Sequence, residues 1–130
     1  MSVHLASAGA LVLLYFALAY LVSRARMRHR VGVGAGDDPD GPVNRAVRAH
    51  GNAAEYLPLF VAILLYQHLA GAAGWTQWVA VAIVVSRVLH AVGIYTARTL
   101  NARNPYRFVG ALGTYLCGFA LGLALLLDAL

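Results

Sequence analysis

The sequence predicts an all-α integral membrane protein: a four-helix bundle forming a single domain over residues 1–130. Three observations lead to this class. The chain is 61% hydrophobic and only 12% charged, a composition that belongs to a bilayer rather than to a soluble core. Its apolar residues fall into long runs, with approximate spans 5–23, 43–68, 75–97 and 107–127. Arginine supplies every Lys/Arg charge and clusters at the ends of those runs, as membrane topology requires.

The first span, Leu5–Val22, has the length for a crossing at about 1.5 Å per residue. No Arg or Lys precedes it, whereas Arg24, Arg26, Arg28 and Arg30 follow it. A cleaved signal peptide has the opposite order, so the sequence predicts a retained helix. Glycines, Asp37, Asp38, Asp40 and two prolines mark a loop over Val31–Pro42. Asn44 is the expected cap of the second helix, with Pro58 inside it as a candidate kink. After the short uncharged loop Ala70–Thr76, the third span opens with Trp75 and Trp78, placed as an interfacial anchor. Asn104-Pro105 turns the chain into the fourth span, where Gly110, Gly113, Gly118 and Gly122 are spaced for close helix contact. Within that set, Gly118 and Gly122 form a small-xxx-small pair.

Arginine is dense in the first and third loops and missing from the N-terminus, second loop and C-terminus. The positive-inside rule therefore predicts both termini outside and the Arg-rich loops in the cytoplasm. The formal charge of +5 is accounted for in this way, which argues against nucleic-acid binding. His4, His29, His50, His68 and His90 contain no i,i+4 pair and have no companion cysteines, so no metal site is expected. Cys117 stands alone in an apolar run and reads as a packing residue.

The residues that carry chemistry begin with Arg45, Arg48, Asn52 and Glu55. At about 100° per residue they share roughly a quarter of the helix circumference. Charges at membrane depth are costly and normally face a protein interior or a wet cavity. Two cations, an anion and an amide suit a small zwitterionic or anionic ligand. The plainer alternative pairs Arg48 with Glu55 and lets Arg45 snorkel to the interface. In the third helix, Arg87 requires a buried acceptor, and Glu55 is a candidate. His90 lies one turn further on, as a hydrogen-bonding group or a proton carrier. At the start of the fourth helix, Arg107 is either an interface anchor or a cation that favours a bound anion such as a thiolate.

The run Arg45-Ala-Val-Arg48-Ala-His-Gly-Asn52-Ala-Ala-Glu55-Tyr56-Leu-Pro58-Leu-Phe60 resembles the second-helix signature of the MAPEG family, the membrane-associated proteins in eicosanoid and glutathione metabolism. Arg87-Val-Leu-His90, Tyr95 and Pro105-Tyr106-Arg107 also fall where that family places polar residues. The resemblance implies a homotrimer in contact with membrane lipids, from a prokaryotic branch and hence a bacterial inner membrane. It implies glutathione, or another low-molecular-weight thiol, as co-substrate between subunits. Arg48, Asn52, Glu55, Tyr56, Arg87 and Tyr95 would hold the thiol compound, and Arg107 would hold its thiolate. The implied activity is a glutathione-dependent transferase or peroxidase acting on lipophilic electrophiles. The alternative is a non-catalytic lipid-binding or scaffolding protein of the same fold, since the family contains one; a small transporter is a more distant third. Some members have Arg where this chain has Gly51. The prostaglandin-synthase branch has Ser where this chain has Phe108, so that isomerase chemistry is not expected.

Overall fold

The computed structural model describes residues 2–72 and 74–129, which form helices and turns without strands. The helices are α1 (Val3–His29), α2 (Pro42–Leu69), α3 (Trp75–Tyr95) and α4 (Pro105–Asp128). Ala73, in the expected second loop, lies outside the described residues.

α1 continues well past the apolar run. Arg26, Arg28 and His29 occupy its last turn, where cations complement the negative end of the helix dipole. Arg30 then ends the helix in the left-handed region, at φ 57°. The start of α2 differs from expectation. Gly41 is the cap residue and Pro42 the first helical position, where the ring presets the backbone and the missing N–H is no loss. Asn44 instead turns back and donates its side-chain amide to the Pro39 carbonyl. α2 runs on through Pro58, which removes the helical bond to the Ala54 carbonyl. α3 stops at Tyr95, two residues short of the expected limit. α4 starts at Pro105, with Asn104 as its cap: the Asn104 Oδ1 accepts from the Arg107 N–H at 3.1 Å.

Among the described residues, α1, α3 and α4 are long and apolar enough to cross a membrane, each with an 18-residue stretch of mean hydropathy 2.2, 1.8 and 1.9 respectively. α2 matches them in length at 28 residues but carries the polar stripe. α1 packs most closely on α2 and α3 on α4, and α2–α3 and α1–α3 contacts join the two pairs. Leu11, Leu18, Leu57, Leu64, Ile83 and Leu121 fill the core. Leu13, Phe16, Phe108, Leu116 and Phe119 face outward on α1 and α4, an arrangement suited to lipid and poorly suited to water.

Of the four glycines expected to make close contact, Gly110 and Gly113 do so and the Gly118–Gly122 pair does not. A Cβ on Gly110 would lie 2.5 Å from the His90 nitrogen and 2.6 Å from the Ser86 carbonyl oxygen, and one on Gly113 would collide with the Ser86 hydroxyl. Gly118 meets only the Phe60 ring at 3.7 Å, and Gly122 has nothing within 4 Å. The α3–α4 seam is therefore tightest near the Arg-rich end of the bundle. At the other end, His4 Nε2 and Thr76 Oγ1 share a buried hydrogen bond of 2.8 Å, and Ser2 pairs with His68 at 3.0 Å.

Candidate functional site

The stripe on α2 divides into two functions. Arg45, half-buried, reaches the end of α3 and donates to the Ala97 carbonyl. Arg48 and Glu55 are exposed, and with Asn52 they line a cavity of about 500 Å³, within the range of about 300–1,000 Å³ usual for small-molecule sites. His90, Leu100 and Arg107 complete its wall.

Asn52 is the hub between the cavity and the interior. Its Oδ1 accepts from Arg87 Nη2 at 2.8 Å, its backbone carbonyl accepts from the same nitrogen at 3.2 Å, and its Nδ2 donates to Glu55 Oε2 at 3.4 Å. Arg87 is only 1% exposed. Its Nη1 donates to Thr114 Oγ1 at 3.4 Å, and its guanidinium carbon stands 5.0 Å from the centre of the Tyr56 ring, within cation–π range. The Tyr56 ring in turn lies 6.3 Å from that of Tyr115. Arg87 thus finds neutral acceptors and an aromatic face instead of the carboxylate considered for it. Among the described residues no ion pair joins Glu55 to Arg48 or to Arg87, and Asn52 stands between Glu55 and Arg87.

Arg107 is fixed at both ends. Asn104 caps its backbone N–H and also donates Nδ2 to the Gly93 carbonyl at 3.0 Å. Its guanidinium donates to the carbonyls of Leu100 at 2.6 Å and Ala102 at 3.2 Å. The same side chain borders a second concavity of about 640 Å³, lined by Pro105, Phe108 and Ala111 together with His90, Arg103 and Asn104. Arg107 and His90 therefore form the partition between a polar cavity and a more apolar one. A smaller groove of about 170 Å³ between α1 and α2, lined by Leu11, Tyr15, Phe16 and Pro58, carries no charged side chain.

Of the seven residues that the family resemblance assigns to the thiol compound, Arg48, Asn52, Glu55 and Arg107 meet at one cavity. Arg87 and Tyr56 stand behind it, joined through Asn52 and the ring contact. Tyr95 is exposed and lies off the cavity wall, where Ile94 takes the place. His90 was not among the seven, yet it is buried, lines both concavities, and has an Nδ1 without a hydrogen-bond partner. Its one-turn spacing from Arg87 was the available signal.

The MAPEG family pattern matches residues 4–127. The chain belongs to the MAPEG family. Inner membrane protein YecN, from two strains of Escherichia coli, is 32% identical over 88 residues, which is 67% of this chain and 64% of that protein. The chain is thus aligned with slightly under two thirds of the length of these relatives. Membership covers all four helices, so the protein is an integral membrane protein of four helices.

Proposed function

We propose that this protein is a homotrimeric, glutathione-dependent membrane transferase or peroxidase for lipophilic electrophiles. The observation that carries the reading is the place of Arg107, in the partition between the cavity of Arg48, Asn52 and Glu55 and the more apolar concavity beside Phe108. Glutathione has two carboxylates and one ammonium. Arg48 suits a carboxylate, Glu55 the ammonium, and Asn52 the peptide groups. Arg87, lying over the Tyr56 ring, holds Asn52 from behind, and Tyr95 faces outward toward a neighbouring protomer. Exposed charges on a helix at membrane depth need a covering partner, which supports a trimer whose subunits complete one another's sites.

Arg107 beside the thiol sulfur favours the thiolate, because a guanidinium stabilises the charged form. The thiolate attacks an electrophilic carbon, the S–C bond forms, the leaving group departs with its electron pair, and the thiol proton passes to solvent. With a lipid hydroperoxide, two thiols become one disulfide while the hydroperoxide becomes an alcohol and water. The arginine distribution and the name of the Escherichia coli relative support the bacterial inner membrane, with both termini outside and the site open to the cytoplasm.

Detergent-purified protein is titrated calorimetrically with glutathione and other low-molecular-weight thiols, and thiolate is read by ultraviolet difference absorbance. Glutathione is expected to bind and to ionise. Arg107→Ala retains binding but loses the thiolate, with kcat lower by about 10²-fold. Ionisation of a different thiol reassigns the co-substrate. Absence of thiolate with every thiol overturns the enzyme reading, and saturable binding of an amphipathic lipid without turnover puts the non-catalytic alternative in its place.

A further inference from the structure

We propose that Asp40, in the loop between α1 and α2, is a positioning residue for Arg107 and acts through the backbone of Leu100. The role rests on the reading of Arg107 as the thiolate-holding group. The connection from α3 to α4 forms a strap across the Arg-rich end of the cavity, and Leu100 and Asn101 line that cavity. Asp40 Oδ1 accepts from the Leu100 N–H at 2.7 Å, across 60 positions of sequence. The Leu100 carbonyl then accepts from Arg107 Nη1 at 2.6 Å. These two bonds fix the peptide planes on either side of the Leu100 Cα. The strap is held at the α2 side by Asp40 and by Arg45, which bonds the Ala97 carbonyl.

Asp40 is itself placed by a tight turn. Its N–H donates to Asp38 Oδ1 at 3.0 Å, and the Gly41 N–H donates to the Asp38 carbonyl at 3.0 Å. The adjoining Asn44–Pro39 bond ties that turn to the first turn of α2. A carboxylate acceptor gives the Leu100 N–H a charge-assisted bond, stronger than a neutral pair. At the far end, Leu100 and Ala102 take two of the guanidinium's five N–H groups. The remaining donors are left for an anion, on a side chain whose torsions are already restrained. Stabilising a developing charge depends on donors that need no rearrangement, and a shift of about 1 Å at such a group costs up to about 10²-fold in rate.

The test compares the full chain with Asp40→Ala, Asp40→Asn and Asp40→Glu, each also combined with Arg107→Ala. Asp40→Ala is expected to lower kcat about tenfold and to weaken the thiolate absorbance, with KM for glutathione within about twofold of the wild type. Asp40→Asn keeps an acceptor at the same reach, though a neutral and weaker one, and restores most of both readouts. Asp40→Glu keeps the charge at the wrong length and behaves as Asp40→Ala; this Asn/Glu pair decides the matter even if the alanine variant does not fold. In the Arg107→Ala background the Asp40 changes add nothing. A wild-type thiolate signal that survives Asp40→Ala, rescue by Glu instead of Asn, or full additivity with Arg107→Ala each overturns this role alone. A wild-type protein with no thiolate overturns the reading of the site and this role with it.

Discussion

Arg87 and Arg48 lie on neighbouring helices on either side of Asn52 and have opposite surroundings. Arg87 is shut into the bundle with Asn52, Thr114 and the Tyr56 ring as partners. Arg48 is exposed on a cavity wall, and Glu55 beside it is exposed too. One region is an interior network, in which the buried Arg87 Nε lacks a hydrogen-bond partner, and the other an open one, built from the same residue types. A buried guanidinium whose acceptors all come from its own chain contributes to the fold. An exposed one such as Arg48 lacks those internal acceptors, and under the proposed function a ligand supplies its partner. The comparison therefore divides the signature into residues that build the wall and residues that use it.

Removing Arg87 should be the most damaging change. Arg87→Ala leaves a cavity, strips Asn52 Oδ1 and Thr114 Oγ1 of their donor, and deprives the Tyr56 ring of its cation. A loss of about 3–4 kcal/mol is expected from the cavity and the unpaired groups together. It would be read as a large drop in thermal midpoint in detergent, with glutathione affinity reduced mainly because Asn52 is no longer aimed. A variant of unchanged midpoint that no longer binds glutathione would instead make Arg87 a direct ligand contact.

Gly110→Ala attacks the seam that closes over this network. Thr114 Oγ1, the acceptor of Arg87, also donates to the Gly110 carbonyl at 2.7 Å, so seam and network share an atom. The added methyl meets backbone atoms of α3, which cannot rotate away. Overpacking of this kind costs about 1–3 kcal/mol, and α4 should move outward with Arg107. The same substitution at Gly122, which has open space around it, should leave the thermal midpoint within error. Equal effects at the two glycines would break the assignment of the seam.

The polar stripe could be found from sequence because helical periodicity and the cost of intramembrane charge are both local arguments. The four helices were legible for the same reason, through apolar runs and arginine at their ends. The choice between open and closed was not legible. Whether Arg87 meets Glu55 or Asn52 depends on the rotation of α3 against α2, which a 3.6-residue period does not fix across helices. His90 and Tyr95 show the same limit. At about 100° per residue the two flank Arg87 on opposite sides of α3, and only the packing of the helices shows that the His90 flank borders both concavities while Tyr95 is turned outward. Asp40 was visible only as a loop residue, because its partner Leu100 lies 60 positions away in a connection without a motif.

Arg48→Ala is the smallest of the three perturbations, and it tests the open side directly. The side chain is exposed and makes no ion pair with Glu55 among the described residues, so its loss should leave the thermal midpoint unchanged. A charged hydrogen bond to a glutathione carboxylate is worth about tenfold in affinity, so calorimetry should show Kd rising by about that factor. Part of this contribution is screened by salt. Raising the ionic strength should therefore weaken glutathione binding more in the wild type than in Arg48→Ala, and the two curves should converge. If Arg48→Ala lowers the midpoint as Arg87→Ala does, while affinity and salt dependence stay the same, Arg48 belongs to a closed network between protomers. The open wall then reduces to Asn52, Glu55 and Arg107, which would favour a ligand carrying less negative charge than glutathione.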